Sequence, residues 1–227
     1  MLKAVLFDMD GVIVDTEPLH YKAYFGMFDH YQIEVSAKQY QSFTGQSTIN
    51  VCRQLCEFFE LPNPPQELVD KKRSIFKKLF KSDPDLDLIE GVRELIQNYH
   101  EAGLTLVLAS SASMGTINSV FERFDLNQYF VEKLSGADLK ASKPHPEIFQ
   151  KAAQSSGFGI ENCMVIEDST SGIKAAKAAQ IYCVAFKSPN SKNQDYSKAD
   201  KLISNFSDIH YSKINPYFNK SNSRIKL

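Results

Sequence analysis

Two acidic residues directly follow a short apolar run near the start of the chain. The segment VLFDMDGVIVD, residues 5–15, places Asp8 and Asp10 two positions apart at the end of that run. A strand that ends in carboxylates would hold them on a rigid support. One carboxylate can attack phosphorus as a nucleophile, and a second can give up and recover the proton as a general acid and base.

Other polar residues follow later apolar runs. Ser110 ends the run LTLVLAS, Glu167 and Asp168 end the run NCMVIED, and Lys143 lies in the loop-to-helix stretch ASKPHPEIF. Taken singly, such residues are typical of turns, helix caps and solvated loops. If the runs are parallel strands, however, their carboxyl ends lie at one edge of a sheet, and these side chains converge with Asp8.

Carboxylates crowded at one site repel one another and need a cation. Oxygen ligands of this number favour Mg²⁺, which prefers octahedral oxygen coordination. Magnesium beside a free carboxylate suits phosphoryl transfer, and a hydroxyl and an ammonium could bind the equatorial phosphate oxygens. The pattern therefore predicts Mg²⁺-assisted phosphate chemistry.

Apolar runs with strand propensity alternate with segments of helical spacing. The runs cover residues 3–8, 104–110, 162–168 and 181–186, and more weakly 130–136 and 200–206. Helical spacing occurs in 90–101, 114–124 and 146–155. This alternation predicts an α/β fold, a Rossmann-like doubly wound parallel sheet with right-handed crossovers.

The long segment between the first two runs, residues 9–103, shows only helical patterns, which predicts an inserted helical domain. Thr16 followed by Pro18 is a plausible helix start, and the Asp- and Pro-rich segment 82–87 resembles a linker. We expect a core of residues 1–15 and 83–210, a helical cap of 16–82, and a tail of 211–227 with little periodicity.

Composition narrows the range of partners. The formal net charge is -1, from 26 basic and 27 acidic residues, which gives no bulk attraction to nucleic acid or to an anionic membrane. No apolar stretch approaches the roughly 20 residues of a membrane-spanning helix. We expect a cytoplasmic monomer that binds a small molecule. The cysteines Cys52, Cys56, Cys163 and Cys183 are expected to be small buried hydrophobic residues.

Four ordered stretches resemble the motifs of the haloacid dehalogenase superfamily. They are DMDGV at 8–12, LVLAS ending at Ser110, SKPHPEIF around Lys143 and VIEDSTSGI around Glu167 and Asp168. Within that superfamily the chain resembles the β-phosphoglucomutase-like branch, which includes many sugar-phosphate phosphatases with a helical cap after the first motif. The stretch VDTEPLH fits the entry into such a cap.

The resemblance implies a role for each matching residue. Asp8 is implied as nucleophile and metal ligand, and Asp10 as an acid/base that also offers its backbone carbonyl to Mg²⁺. Glu167 and Asp168 are implied as further metal ligands or their supports. The implied phosphate binders are Ser110, Ser111 and Lys143. Asp10 also argues against carbon–halogen cleavage, because haloacid dehalogenases themselves use no metal and lack an acid at that position.

Two departures from the mutase pattern concern the substrate. The mutase holds the distal phosphate of its sugar with a cap arginine and a core lysine, but Thr48 and Ser113 stand at those positions here. A charge-assisted pair contributes about 1.5–3 kcal/mol, so a bisphosphate would be held poorly, although Arg53 could substitute. The cap residues considered for substrate binding are His20, Gly45, Gln46, Thr48 and Arg53.

The leading hypothesis is a Mg²⁺-dependent phosphomonoester hydrolase that acts on a small phosphorylated metabolite, such as a sugar phosphate, through an aspartyl-phosphate intermediate. The first alternative is β-phosphoglucomutase-type phosphoryl transfer between sugar positions. A second is a non-catalytic phospho-aspartate switch or phospholigand-binding protein. Phosphonate cleavage would need a cap lysine as a Schiff base, for which Lys22 and Lys38 are available.

Overall fold

The chain divides into two units, which are described separately. The computed structural model describes residues 1–43, 46–188 and 193–219. One unit combines Met1–Asp15 with Asp87–Leu227, and the other is Thr16–Leu86. The second boundary therefore lies at the end of the Asp- and Pro-rich segment, four residues later than expected from the sequence.

The first unit, called the core unit below, is built on a six-stranded parallel sheet with the order β3-β2-β1-β4-β5-β6. Its strands are β1 Ala4–Phe7, β2 Thr105–Ser110, β3 Phe130–Ser135, β4 Cys163–Glu167, β5 Tyr182–Phe186 and β6 Lys201–Ile203. The predicted fold class is confirmed: strand order reverses beside β1, as in a doubly wound Rossmann-like sheet.

Both faces of the central strands are buried, which explains their continuous apolar runs. Every residue of β1 and β4 is buried. One face packs against α7, Glu147–Ser156, and α8, Thr170–Ala178, in a single apolar cluster. On the other face, Phe7 of β1 contacts Tyr99 of α5, Val92–Glu101, with ring centroids 6.3 Å apart. These layers hold the strand ends, and the acids that follow them, in fixed positions.

Helices α5, Val92–Glu101, α6, Met114–Arg123, and α7 of the core unit follow the predicted segments closely. Helices α8 and α9, Tyr211–Asn219, lie outside those segments. No apolar stripe was predicted for α8, because its sequence TSGIKAAKA contacts the sheet mainly through Gly and Ala. Small residues fit a close helix–sheet contact but give a weak periodic signal.

Residues 211–219 of the expected C-terminal tail form a docked helix, although their sequence shows little periodicity. Ile214 and Phe218 of α9 are buried, and the Phe218 ring packs on Tyr182, with centroids 5.2 Å apart. The backbone N–H of Leu2 also donates to the side chain of Asn215. Pro216, which disfavours a helix interior, masks this helix in the sequence.

The second unit, called the helical unit below, contains α1 Glu17–Tyr31, α2 Ala37–Gln41, α3 Thr48–Phe58 and α4 Pro65–Ser82. Thr16 is the N-cap of α1, as expected, but its side chain makes no capping hydrogen bond. The buried face of α3 is centred on Val51, Cys52 and Leu55. The sequence also spaces Ile49, Cys52, Cys56 and Phe59 as one helical stripe, but three of these residues are only partly buried, so the stripe does not coincide with the buried face.

All four cysteines are free, as predicted, and three of them are buried. Cys56 is the exception, because it lies at the margin of the α3 face and is only partly buried. In the ranges that the structure describes, no helix has the length and apolar character needed to span a bilayer.

Candidate active site

The site lies at the carboxyl ends of β1 and β4, on either side of the point where strand order reverses. Asp8 follows β1 directly, and its backbone N–H donates to the carbonyl of Ile166 in β4 at 3.0 Å. Glu167 ends β4 and Asp168 follows it. Carboxylate oxygens of Asp8, Glu167 and Asp168 all lie within 4.8 Å of one another, and all three residues are buried.

Lys143 lies against this acidic cluster. Its Nζ donates to Oδ1 of Asp8 at 2.5 Å, to Oε1 of Glu167 at 2.7 Å and to the carbonyl of Ala109 at 3.0 Å. The ammonium therefore has three acceptors within the protein and is almost completely shielded from solvent. It also lies 4.8 Å from the centre of the Phe149 ring of α7, so the helix packed on the sheet supports the lysine stem.

Glu167 has hydrogen bonds to both carboxylate oxygens. Oε1 accepts from Lys143, while Oε2 accepts from the backbone N–H groups of Asp168 and Ser169 and from the Ser169 hydroxyl, each at 2.9 Å. These bonds fix the turn that presents Asp168. The resemblance implied that Glu167 is either a metal ligand or a support for the ligands. Because both of its oxygens already accept hydrogen bonds, the arrangement favours the supporting role.

Ser169 is a site residue that the sequence reasoning did not single out. It is the N-cap of α8, and its hydroxyl accepts from the backbone N–H of Gly172 while donating to Glu167. A serine three positions before a glycine at a helix start is a usable signal for a cap. What the sequence did not indicate is that the cap would also hold a catalytic-site carboxylate.

Two glycines allow backbone to approach the acids closely. Gly11 has φ +86°, in the region that favours glycine, and a Cβ there would overlap the carboxylate of Asp168. A Cβ on Gly172 would overlap the carboxylate of Glu167. The turn after β1 and the start of α8 are thus fitted around the two acids.

Charge at the cluster is unbalanced without a cation. Burial raises the pKa of Asp8 well above its usual range, and the charges of Glu167 and Asp168 raise it further while Lys143 opposes this. For Lys143, burial favours the neutral amine, but the carboxylates of Asp8 and Glu167 outweigh it and raise the pKa. Three carboxylates against one ammonium leave a formal charge of -2, which a divalent cation would neutralise. Buried oxygen donors of this kind fit Mg²⁺.

The remaining core residues predicted for the site, Ser110, Ser111 and Asp10, lie at or just after the carboxyl ends of β2 and β1. Ser110, the fully buried last residue of β2, accepts from the backbone N–H of Ala112 through its hydroxyl at 3.1 Å and follows Ala109, which binds Lys143. Ser111 is exposed. Asp10 is partly exposed in the turn after β1, where its backbone bridges to Val14.

Comparison with known proteins decides the family. The model of the haloacid dehalogenase-like hydrolases matches residues 5–186, most of the chain. The chain belongs to this family. The resemblance read from the four motifs is therefore confirmed.

Two curated relatives of this hydrolase are named as phosphatases. Phosphorylated carbohydrates phosphatase of Thermotoga maritima is 32% identical over 184 residues, covering 79% of this chain and 82% of the relative. Hexitol phosphatase B of Escherichia coli is 28% identical over 207 residues, covering 91% and 93%. The predicted enzyme class, a phosphoric monoester hydrolase, is confirmed.

A solved structure of β-phosphoglucomutase from Clostridium difficile has a TM-score of 0.84 to this hydrolase. It shares 24% identity, and the match covers 99% of this chain and 100% of the other. At that identity the likeness concerns the fold.

The candidate cap residues of this hydrolase lie in the helical unit. Three of them form hydrogen bonds with other residues of the same unit. Gln46 donates to the carbonyl of Ser42 and accepts from the side chain of Gln54. Arg53 donates to Asn50. The side chain of Thr48 hydrogen-bonds the buried phenol of Tyr24. Gly45 lies outside the described residues.

His20, in α1, is held by an aromatic ring and a buried lysine. Its Nδ1 lies 2.7 Å from Nζ of Lys72 in α4, and its ring stacks on Phe76 with centroids 4.4 Å apart. Burial, and then the charge of Lys72, lower the pKa of His20 well below 6.5. The imidazole is therefore neutral at physiological pH. Lys72, which the sequence reasoning did not name, is a buried cation of this unit.

Proposed function

We propose that this hydrolase removes a phosphoryl group from a small phosphorylated carbohydrate, with Mg²⁺ as cofactor and an aspartyl phosphate on Asp8 as intermediate. The observation that carries the proposal is the buried cluster in which Asp8, directly after β1, meets Lys143 and two further carboxylates. A nucleophile with these neighbours has a fixed position and charge partners for an incoming phosphate.

Asp8 is the proposed nucleophile. Lys143 holds its Oδ1, and the adjoining strand β4 holds its backbone N–H through the carbonyl of Ile166. Both contacts restrict the carboxylate to one orientation, so little freedom remains to be lost when it attacks. An isolated buried carboxylate would favour protonation, and the ammonium favours the ionised form that attacks phosphorus.

Asp10 is the proposed acid and base. In the first half-reaction Asp8 bonds to phosphorus, the P–O bond to the carbohydrate breaks, and Asp10 gives its proton to the departing oxygen. In the second, Asp10 removes a proton from water, the water oxygen bonds to phosphorus, and the bond to Asp8 breaks to release inorganic phosphate. Each group thus returns to its starting state.

Bound Mg²⁺ would neutralise charge on the phosphate oxygens and shield the nucleophile from the anionic substrate. The proposed ligands are the carboxylates of Asp8 and Asp168 and the backbone carbonyl of Asp10. Glu167 supports them, because both of its oxygens are already hydrogen-bonded. Ser110, Ser111 and Lys143 are the proposed binders of the transferred phosphate.

A monophosphate is the favoured substrate. Thr48 and Ser113, which occupy the mutase's cation positions, carry no charge, and both hydroxyls have internal partners: Tyr24 for Thr48, and Thr116 for Ser113. The relatives named for phosphorylated carbohydrates and hexitol phosphates point to the same class of substrate. A second phosphate would find no charge partner at either position.

The test is phosphate release from a panel of sugar and hexitol monophosphates, with and without Mg²⁺. We expect turnover that chelation abolishes and Mg²⁺ restores, and none with Asp8→Asn, which removes the nucleophile but keeps its shape. Asp10→Asn should slow release of the sugar and leave phosphate trapped on Asp8, detectable as acid-labile label.

Three outcomes would contradict the proposal. Equal rates for wild type and Asp8→Asn would eliminate the nucleophile, and equal rates with chelator would eliminate the metal. Isomerisation of a sugar monophosphate, dependent on added sugar bisphosphate and faster than phosphate release, would establish the mutase instead.

A further inference from the structure

Tyr196 lies in the loop between β5 and β6, and its phenol oxygen has an unusual environment. The oxygen is buried, yet it has no hydrogen-bond partner among the residues that the structure describes. The ring packs against the apolar cluster formed by the sheet with α7 and α8. A buried hydroxyl without a partner costs about 1–3 kcal/mol, so this position calls for an explanation.

The loop that carries Tyr196 is attached to the segment that carries Asp168. The backbone N–H of Thr170, two residues after Asp168, donates to the side chain of Gln194 at 2.8 Å. In the reverse direction, the backbone N–H of Asp195 donates to the Thr170 hydroxyl at 2.7 Å. Tyr196 follows immediately, so the position of its ring is coupled to the start of α8.

Electrostatics independently connect the phenol with the acid. Burial, and then the charge of the Asp168 carboxylate, raise the pKa of Tyr196 above its ordinary value of 10.0. The phenol therefore remains a hydrogen-bond donor at neutral pH. Since it makes no direct hydrogen bond to the residues that the structure describes, a water molecule between it and the acidic cluster would satisfy the hydroxyl at little cost.

We propose that Tyr196 is a positioning residue of the metal site, whose phenol holds the carboxylate of Asp168 through a bridging water in the orientation that receives the cation. This rests on the proposed function, since it concerns the same cation. Glu167 already holds Asp168 by accepting hydrogen bonds from the backbone of Asp168 and Ser169. Tyr196 would hold the Asp168 carboxylate from a second loop. Partners of metal ligands tune affinity strongly, and their loss typically costs about 10–100-fold.

The experiment is calorimetric titration of the metal-free protein with MgCl₂, on wild type and three Tyr→Phe variants. Tyr196→Phe removes only the hydroxyl. Tyr99→Phe removes a buried phenol that donates to the carbonyl of Ile209, and it keeps the ring that packs on Phe7. Tyr217→Phe changes an exposed phenol on α9. Thermal unfolding of each protein in EDTA accompanies the titrations.

For Tyr196→Phe we expect a roughly tenfold higher Kd for Mg²⁺, the lower end of the range for such partners. Its melting temperature in EDTA should equal or exceed that of wild type, because no hydrogen bond within the protein is lost. Tyr99→Phe should lower the melting temperature without changing the Kd, and Tyr217→Phe should change neither.

A Kd for Tyr196→Phe within twofold of wild type would overturn the inference, and so would an equal loss of affinity in Tyr99→Phe. Failure of wild type to bind Mg²⁺ at all is a different result, which would remove the proposed function itself. The melting temperatures separate both cases from misfolding, since a variant that unfolds in EDTA at the wild-type temperature has a native scaffold.

Discussion

Lys143 is the residue that sets the charge of the acidic cluster. It is the cation that contacts Asp8 and Glu167, and its side chain is only 4% exposed. In such surroundings the desolvation cost of each charge is large, and mutual attraction offsets it only while the pair is complete. The sequence placed Lys143 near the site as a phosphate binder. Its pairing with both acids depends on the tertiary fold.

Lys143→Met should therefore destabilise the metal-free protein by about 3–5 kcal/mol, the usual cost of breaking a buried pair. Mg²⁺ should restore part of this loss, because a dication replaces the missing positive charge. Urea unfolding with and without Mg²⁺ measures both effects, and phosphate release should fall on the order of 10²–10³-fold.

Lys177→Met is the matched control. Lys177 pairs with Asp200 at 2.6 Å, but the two side chains are 32% and 30% exposed. A partly solvated pair is worth at most about 1 kcal/mol, and Mg²⁺ should not alter the difference. Equal destabilisation by the two substitutions would show that Lys143 carries no special electrostatic role.

At the scale of elements, the sequence predicts the strands, which have apolar patterns. It does not predict close packing between particular side chains and backbone. The four central strands could be predicted because buried parallel strands are continuously apolar, and the edge strands β3 and β6 were predicted from weaker runs. The convergence of Asp8 and Asp168 was predicted from their places at the carboxyl ends of parallel strands. The close approach of α8 to Glu167 could not be predicted. The need for a glycine at position 172 follows from the position of the Glu167 carboxylate, which only the folded structure gives.

Gly172→Ala tests that fit. A Cβ at this position would overlap the Glu167 carboxylate, so α8 or the acid must shift. We expect a loss of about 1–3 kcal/mol in the free energy of unfolding, as for overpacked sites, together with weaker Mg²⁺ binding because Asp168 follows Glu167 directly. Urea unfolding and calorimetry measure the two.

Gly115→Ala provides the comparison, because nothing lies within 4 Å of a Cβ there and the residue is also helical. It should stabilise the protein by up to about 1 kcal/mol, since alanine favours a helix. A stabilising Gly172→Ala would mean that the start of α8 is not constrained by Glu167.

Helix α9 gives a second prediction at this scale. Phe218 is 6% exposed and packs on Tyr182 of β5, whereas its neighbour Tyr217 is 52% exposed. Phe218→Ala should cost about 3 kcal/mol, near the lower end for a buried Phe, and Tyr217→Ala less than about 1 kcal/mol. If both substitutions cost less than about 1 kcal/mol, α9 does not contribute to the stability of the core.

At the scale of the whole molecule, the two units contain buried titratable groups whose pKa shifts have opposite consequences. In the helical unit, burial and Lys72 lower the pKa of His20. In the core unit, burial with Glu167 and Asp168 raises the pKa of Asp8 against the effect of Lys143. Acid should therefore weaken one unit and strengthen the other.

The sign follows from proton uptake. Below pH 6.5 the unfolded chain protonates His20 while the folded unit does not, so stability falls as pH decreases. Asp8 behaves in the opposite way. Between 3.8 and its raised pKa the folded state takes up the proton that the unfolded chain lacks, so stability increases as pH decreases through the raised value. Each effect is bounded by about 1.4 kcal/mol per pH unit.

Urea unfolding at pH 7.5 and 5.5 of wild type, His20→Gln and Asp8→Asn separates the two contributions. His20→Gln should lose less stability on acidification than wild type, and Asp8→Asn should lose more, because it lacks the acid that gains a proton. Saturating Mg²⁺ should change the pH dependence of wild type but not that of Asp8→Asn, since cation and proton compete for the same carboxylate. Parallel pH profiles for all three proteins would show that neither group retains its shifted pKa in the folded chain.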